Sequence, residues 1–527
     1  MNNENFKLGT LILILLFATL GSFAISMTTD VMRDEQMYIA ASVLVAQGEE
    51  LYKDFSYLQM PYLPIFLGNF YHFLGIESYY LIIAKLINWL FLLITSLVLF
   101  VLAKRVLNDR FLALGITTLF LFNITIIGAP GAAGYATNTL APVTFSFISF
   151  YLFYISFLEN QIKYFGITIA GIFLALAIGT RLTYVTAVIP FVAIMVYYFA
   201  IKKDPASDIR KRIAISFFCY SVGLTAGLLP VLLFISDIDS FIFNNLRFHH
   251  VTTEWRWTTD FEGPMSLYKK IVFAHKQYFK SDNLILLFGI MCTYGMVFRK
   301  PQSFKQFLEQ FPAGAYLAFF LVCITAITAV LPTPSWLHYY VTPLSFLLIL
   351  LIFSFAASSE ITSNFQKRLM LILVLMVTAS NGPQTILPIA RLVNADTWTG
   401  IKVHNISINM QKTLIENDID IKNKIATLHP IYALETNLPI YPELSTGIFL
   451  YRVGDFLTAE QRKHYVGTSP ESLHELLSKD PPAAIVIDSN EEKDMIPLNK
   501  PLIEFAVANN YRKVPIAGFS GEFYIMP

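Results

Sequence analysis

Residues 8–40, "LGTLILILLFATLGSFAISMTTDVMRDEQMYIA", join an unbroken apolar segment to a group of charged side chains. The apolar part, residues 8–28, has the length of a membrane-spanning helix, which needs about 20 apolar residues. It is too long for the apolar region of a secretory signal and has no clear small-residue cleavage site, so we predict a retained span. Asp30, Asp34 and Glu35 follow directly, which places several acids at one end of this span.

The composition of the whole chain is that of a membrane protein. Of its 527 residues, 55% are hydrophobic and 14% are charged, whereas about 25% are charged in an ordinary soluble domain. A net charge of +1 gives no support for a nucleic-acid partner. The three cysteines show no CxxC or Cys/His spacing, so neither a zinc site nor a disulfide framework is predicted.

Apolar segments long enough to cross a bilayer recur along the chain and predict about eleven membrane spans. They lie near residues 8–28, 79–103, 111–130, 134–157, 163–180, 182–201, 212–235, 283–298, 313–331, 337–357 and 367–388. A further segment, "PYLPIFLGNFYHFLG" at residues 61–75, is too short to cross and contains two prolines. It predicts either a re-entrant segment or the bent start of the second span.

Clusters of basic residues in short loops predict the orientation, because such residues accumulate on the cytoplasmic side of a membrane. With the spans given above, all of them fall on one side together with Lys7. The clusters are Lys104, Arg105 and Arg110; Lys202, Lys203, Arg210, Lys211 and Arg212; Arg299, Lys300 and Lys305; and Lys367 and Arg368. We therefore predict a multi-pass membrane protein with a cytoplasmic N-terminus and the acidic loop outside.

The composition becomes more polar after about residue 390. We predict a membrane domain over residues 1–390 and a small extracytoplasmic α/β domain over residues 391–527. β-branched segments predict strands and apolar periodicity predicts helices. The predicted strands lie at residues 423–429 and 483–489, and the predicted helices lie at residues 468–482 and, running into a strand, 501–514.

The acidic loop after the first span has the pattern of a surface helix over residues 31–47. Asp30, Asp34 and Tyr38 share one face of this helix at i, i+4 spacing, while Glu35 points elsewhere. A carboxylate held in a partly dry cleft can act as a general base. Alternatively, these acids only solvate the loop, and their spacing leaves both interpretations open.

Four short motifs resemble the GT-C superfamily of membrane glycosyltransferases, most closely its bacterial protein-mannosyltransferase-like branch. They are "GEELYKDFSYLQMPYLPIF" (48–66), "IFNNLRFHH" (242–250), "SWLHYYVTPL" (335–344) and "ATLHPIYALETNLPIYPELSTG" (426–447). The resemblance covers the topology and most of the chain. It implies a cell-envelope enzyme of the bacterial inner (plasma) membrane. Such an enzyme moves a hexose or pentose from a polyprenyl-phosphate carrier to an extracytoplasmic glycan, lipid or protein.

The resemblance also implies roles for the acids of the first outer loop. In that superfamily an acid of this loop is the proposed catalytic base, and Asp34 is the matching residue, with Glu35 as its catalytic neighbour. The acceptor hydroxyl loses its proton to the carboxylate and attacks the anomeric carbon. The lipid phosphate leaves from the other face, so the configuration inverts, and nearby cations and hydrogen-bond donors stabilise it.

Seven residues at the outer ends of spans are candidates for binding the substrate. Arg181, which separates two apolar segments, either contacts the phosphate or forms a structural ion pair. Histidine, tyrosine and arginine donate hydrogen bonds to phosphate and sugar oxygens, although aromatic residues there also anchor spans at the interface. The other candidates are Arg247, His249, His250, His338, Tyr339 and Tyr340.

Two alternatives concern cofactors and function class. We expect no required cofactor, because the first loop lacks a DxD pair; a divalent ion would need Glu254, Asp260 and Glu262 to meet Asp34. The rival class is a lipid or sugar-lipid transporter or flippase without transfer chemistry. Transporters often show internal repeats or broken helices at midplane, and the sequence shows neither. Its charges cluster at the outer ends of spans, which favours the enzyme.

Overall fold

The computed structural model describes residues 3–128, 132–159, 161–201, 208–259, 261, 263–297, 311–358, 363–488 and 496–527. Helices dominate the described part up to Ile386. In chain order they are α1 (Asn3–Thr28), α2 (Arg33–Ala46), α3 (Tyr62–Phe73), α4 (Tyr80–Leu107), α5 (Arg110–Leu121), α6 (Ile124–Ile127), α7 (Leu140–Phe153), α8 (Tyr164–Thr180), α9 (Val188–Ile201), α10 (Ile209–Leu233), α11 (Ile238–Ile242), α12 (Phe248–Thr259), α13 (Leu267–Tyr278), α14 (Ser281–Val297), α15 (Ala313–Val330), α16 (Val341–Ala357) and α17 (Ser363–Ile386).

Several of these helices continue into tighter or wider turns. A π-helical turn, Tyr154–Leu158, extends α7, and another, Phe243–Arg247, joins α11 to α12. Short 3-10 segments precede α9 and α16 at Leu182–Ala187 and Leu337–Tyr340. Both 3-10 segments matter below because they carry residues of the candidate site.

Eight helical segments of the described residues are long and apolar enough to cross a membrane, which makes this a multi-pass membrane protein. They are Lys7–Thr28, Tyr80–Leu107, Leu140–Leu158, Leu182–Ala200, Ile209–Leu233, Ala313–Val330, Leu337–Ala357 and Asn364–Val393. The other three predicted spans contain helices of only 12, 17 and 17 residues, namely α5, α8 and α14. The total number of crossings therefore stays a prediction.

The predicted helix after the first span is present as α2, packed against its neighbours rather than lying on a surface, and the short apolar segment forms a helix of its own, α3. Because the segment between α3 and α4 is not helical, α3 is not the bent start of the second span. α2 and α3 approach closely at Gly68, where an added Cβ would lie 2.6 Å from Val45 and 2.8 Å from the carbonyl oxygen of Ser42. Residues from Glu35 to Leu44 on α2 are buried, so α2 is fixed in position by its neighbours.

The C-terminal part carries a four-stranded sheet of order β1-β2-β4-β3. β1 is parallel to β2, and the other pairs are antiparallel. The strands are β1 (Ile425–Thr427), β2 (Ala484–Ile487), β3 (Arg512–Lys513) and β4 (Glu522–Ile525), and the helices are α18 (Thr399–Glu416), α19 (Ile431–Leu434), α20 (Ile448–Tyr451), α21 (Ala459–His464), α22 (Leu473–Lys479) and α23 (Ile496–Ala508). The predicted α/β character of this region is confirmed, although β4 was not predicted.

The C-terminal part packs directly on the ends of the first spans. Thr399 donates a hydrogen bond of 2.8 Å to the backbone oxygen of Thr29 at the end of α1. The side chains of Gln36 on α2 and His429 are 2.9 Å apart. One hydrophobic core contains Leu81 of α4 together with residues of α18 and α19. Since this core extends across the predicted boundary near residue 390, that division into two domains stays a prediction.

Basic residues gather at the opposite end of the bundle. Lys7, Arg110, Lys367 and Arg368 line one cleft there, between the first turns of α1 and α5 and the start of α17. The predicted basic residues Lys202, Lys203, Arg299, Lys300 and Lys305 lie outside the described residues. Which end faces the cytoplasm stays a prediction.

Candidate functional site

A cavity of about 510 Å³ opens at the end of the bundle where α2 lies. Its walls come from the 3-10 segment Leu182–Ala187, from α12, and from the ends of α15 and α16. Arg181 stands at its edge in extended conformation, with φ −148° and ψ 114°, where α8 stops. This break in the helix brings a guanidinium group to the end of a segment that is otherwise apolar.

A second, small pocket lies beside α2 and has room for about one water molecule, at about 20 Å³. Asp34 and Tyr38 supply one wall from α2, His338 supplies another, and the loop that contains Asn138 closes it. Asp34 is half-buried in the first turn of the helix. The i, i+4 spacing predicted from the sequence therefore does bring Asp34 and Tyr38 to one pocket.

Hydrogen bonds connect the two cavities. The Tyr38 hydroxyl donates to Oδ1 of Asn138 at 2.9 Å, and Nδ2 of Asn138 donates to Oε1 of Gln59 at 3.1 Å. Gln59 is part of the wall of the larger cavity. Arg181 lies 5.3 Å from the ring centre of Tyr339, and its charge acts on Tyr38 as well as on His249. The two cavities thus form one electrostatic environment.

The electrostatics of this environment keep two key groups neutral. Burial raises the pKa of Tyr38 and the negative charge of Asp34 adds to the rise, so the phenol stays a hydrogen-bond donor. His249 lines the larger cavity, and its side chain remains accessible there. Loss of water there, followed by the positive charges of Arg256 and Arg181, lowers its pKa to about 4. His249 is therefore a neutral hydrogen-bonding group near pH 7, rather than a cation.

Glu35 lies on a different face of α2 from Asp34 and is fully buried. Its Oε1 is 3.0 Å from Nζ of Lys85 on α4 and accepts a hydrogen bond of 2.7 Å from the backbone N–H of Ala136. Lys85 also donates to the backbone oxygen of Gly134 at 3.0 Å. Glu35 therefore positions the loop that closes the small pocket, and its assignment as a catalytic neighbour stays a prediction.

Three of the predicted substrate-binding residues do not join this site. Among the residues that the structure describes, Arg247 and His250 are exposed outside both cavities, and Arg247 pairs with Asp239 at 2.8 Å. Tyr340 is fully buried, with its hydroxyl 3.0 Å from Oγ of Ser335. Their roles in binding stay predictions, whereas Arg181, His249, His338 and Tyr339 do line the two cavities.

One cation of the larger cavity was missed in the sequence. Arg256 is 8% exposed, lines the cavity and donates through Nη1 to the backbone oxygen of Thr333 at 2.8 Å. The sequence spacing could have identified it, because Arg256 follows His249 by seven residues and therefore lies on the same face of a helix. Its aromatic neighbours do not line the cavity: Trp255 packs beneath Arg452 at 5.0 Å, and Trp257 is exposed.

The acids proposed for a divalent ion can be placed only in part. Glu254 is exposed on α12, while Asp260 and Glu262 lie outside the described residues. Within the described ranges, no three His, Cys, Asp or Glu side chains lie close enough together to hold a metal ion. The expectation that no cofactor is required stays a prediction.

The arrangement of helices and sheet has counterparts among solved structures. The crystal structure of ArnT from Cupriavidus metallidurans bound to undecaprenyl phosphate matches with a TM-score of 0.62 and 12% identity, over 98% of this chain and 98% of that one. The chain has the GT-C fold. The resemblance seen in the sequence motifs is thereby confirmed at the level of the fold.

Two archaeal structures share the GT-C fold at lower similarity. The apo oligosaccharyltransferase of Archaeoglobus fulgidus matches with a TM-score of 0.52 and 12% identity, over 94% of this chain and 71% of that one. AglB from the same organism, in complex with an inhibitory peptide and a dolichol-phosphate, matches with a TM-score of 0.52 and 13% identity, over 99% and 75%. No family model and no curated protein sequence matches this GT-C chain.

Proposed function

We propose that this protein is an inverting, lipid-phosphate-dependent glycosyltransferase of a bacterial inner membrane, acting on an extracytoplasmic acceptor. One observation carries the proposal: the pocket that holds Asp34 adjoins a larger cavity with two guanidinium groups, and the charge of Arg181 acts on groups in both. The GT-C fold supports it, since one solved structure with this fold contains undecaprenyl phosphate and another contains dolichol-phosphate.

The larger cavity is the proposed site of the donor. Its volume of about 510 Å³ lies in the range of about 300–1,000 Å³ that is usual for ligand cavities. Arg181 and Arg256 supply charge-assisted, planar donors that suit a phosphate. His249 and Tyr339 add neutral polar groups to the same wall.

The small pocket is the proposed site of proton transfer. The carboxylate of Asp34 takes the proton of the acceptor hydroxyl while that oxygen forms a bond to the anomeric carbon. The bond between the anomeric carbon and the phosphate oxygen breaks, and the phosphate keeps the electron pair. Attack and departure occur on opposite faces, so the anomeric configuration inverts. Arg181 and Arg256 stabilise the charge that develops on the phosphate.

Transfer from a panel of polyprenyl-phosphate sugars to cell-envelope acceptors tests this proposal. We compare the purified wild type with Asp34→Asn and with the control Glu50→Gln, an exposed acid of the same loop that pairs with Lys53. Asp34→Asn is expected to lose about 10²–10⁴-fold in rate while still binding the carrier lipid, and the control is expected to keep its rate.

Three outcomes contradict parts of this proposal. Full activity of Asp34→Asn shows that another group is the base. Transfer that EDTA abolishes and Mn²⁺ restores contradicts the expectation that no metal is required. Binding of the carrier lipid by the wild type, without turnover of any donor in the panel, contradicts the assignment as a transferase.

A further inference from the structure

A second cleft of about 510 Å³ lies at the end of the bundle opposite the candidate site. The distance between this cleft and the candidate site follows from the length of the first span, Lys7–Thr28. Its 22 residues cover about 33 Å at 1.5 Å per residue. Lys7 lines the cleft at one end of this span, and Asp34 follows the other end. The cleft is therefore separate from the cavities of the proposed donor and acceptor.

Four cations and one acid line this cleft. The acid, Asp109, is already engaged. Its Oδ1 accepts the backbone N–H groups of Phe111 and Leu112 at 2.8 and 3.1 Å, and its Oδ2 is 3.2 Å from Nζ of Lys367.

The remaining cations lack a counter-charge. Within the part of the chain that the structure describes, Lys7, Arg110 and Arg368 form no ion pair, and all three are exposed. They project from three different helices into one cleft, so an anion bound there would gain attraction from all three and relieve their mutual repulsion. The contrast with Arg105 is informative, because that neighbouring cation is held by Glu159 at 2.6 Å.

Apolar side chains stand next to these cations. Leu8, Phe111 and Leu371 line the same cleft, and they belong to the apolar helices α1, α5 and α17. A free inorganic anion gains nothing from apolar contacts, whereas a phospholipid brings a phosphate attached to acyl chains. The combination of cations and apolar side chains at a helix end matches that pattern.

We propose that this cleft binds the headgroup of an anionic phospholipid of the leaflet opposite the candidate site. Lys7, Arg110 and Arg368 contact the headgroup phosphate, and Leu8, Phe111 and Leu371 contact the first part of the acyl chains. The lipid thereby joins α1, α5 and α17 at this end of the bundle. This inference does not depend on the proposed transferase activity.

The test measures the unfolding temperature of the full-length protein in detergent during titration with three compounds. The compounds are dioctanoyl phosphatidylglycerol, dioctanoyl phosphatidylcholine and inorganic phosphate. The variants are Arg110→Ala/Arg368→Ala in the cleft and the control Lys104→Ala/Arg212→Ala, which removes two exposed cations of the same predicted side outside the cleft. If the cleft double variant does not fold, the single variant Arg368→Gln takes its place in the titration.

We expect saturable stabilisation of the wild type by phosphatidylglycerol only. The cleft variant is expected to need about ten- to thirtyfold more of this lipid for half-saturation, since each of the two removed basic residues contributes about fivefold or somewhat less. An equal loss in the control variant overturns the proposal in favour of general surface charge. Equal stabilisation by inorganic phosphate would show that the cleft binds a free anion, and it would overturn the proposal that the ligand is a lipid.

Discussion

Glu35 and Lys85 form an ion pair of 3.0 Å in which neither side chain has exposed surface. Asp34, the adjacent residue on α2, faces the small pocket instead. Successive residues of a helix point about 100° apart, so holding Glu35 on α4 also fixes the direction of Asp34. The ion pair thus acts as a positioning device for the proposed base.

Breaking this ion pair is expected to destabilise the protein. Glu35→Gln leaves the buried ammonium of Lys85 without its counter-charge, which typically costs about 3–5 kcal/mol. The unfolding temperature in detergent should fall markedly. The double variant Glu35→Gln/Lys85→Met removes both charges, keeps a side-chain oxygen that can accept the N–H of Ala136, and is expected to recover most of that loss.

The two roles of Glu35 make different predictions for this pair of variants. If Glu35 only positions the loop and α2, stability and activity fall together in Glu35→Gln and recover together in the double variant. A Glu35→Gln protein that is as stable as the wild type but inactive would indicate that Glu35 takes part in catalysis. That is the role that the family resemblance implies for the neighbour of Asp34.

The sequence could predict spans and the helical face of Asp34, because both depend on local patterns. Residues at i, i+4 meet on any helix, and long apolar segments identify spans without knowledge of their packing. The partner of Glu35 could not be predicted in this way. Lys85 lies within the second apolar segment, and only the tertiary contact of α2 with α4 brings the two charges together.

The sequence could predict which residues face the cavity only where the helix is regular, so that spacing along the chain gives the direction of each side chain. His249 and Arg256 share a face of α12, while His250 lies on another face and Arg247 lies in the turn before the helix. A π-helical turn, Phe243–Arg247, directly precedes α12 and changes the phase of the helix. That local irregularity has no signature in hydrophobic periodicity, so the motif "NNLRFHH" could not show which cation faces the cavity.

Gly68 is expected to tolerate no side chain. An alanine Cβ there would lie 2.8 Å from the carbonyl oxygen of Ser42 on α2, so α2 must shift. Gly68→Ala is expected to cost about 1–3 kcal/mol of stability and to reduce transfer, because Asp34 moves with α2. Gly9→Ala is the control, since nothing lies within 4 Å of its added Cβ; equal behaviour of both variants would contradict the close packing of α2 on α3.

His249 is expected to make stability depend on pH. Its pKa is lowered from an ordinary value of 6.5 to about 4 in the folded protein. Between these values the unfolded chain binds more protons than the folded one, so stability rises with pH across this window. The contribution is fully present above about pH 6.5 and is lost as the pH falls towards 4.

The measurement compares unfolding temperatures from pH 4 to pH 7.5. The variant His249→Gln is expected to show a weaker loss of stability on acidification than the wild type. His250→Gln is the matched control, because the adjacent imidazole is exposed outside the cavities, and it should retain the wild-type profile. A His249→Gln profile that coincides with that of the wild type would contradict the lowered pKa of this histidine.

Arg181 and Arg256 are expected to determine the affinity for the phosphate of the carrier lipid. Lysine keeps the charge at these positions but loses the planar, bidentate geometry of the guanidinium group. Losing one hydrogen bond to a charged group costs about 1.5–3 kcal/mol, so Arg181→Lys and Arg256→Lys should each weaken binding of undecaprenyl phosphate by about 10–100-fold. Arg247→Lys is the control, since Arg247 pairs with Asp239 away from the cavity. An equal loss for Arg247→Lys would show that this arginine contacts the donor after all, and that the larger cavity is not the complete phosphate site.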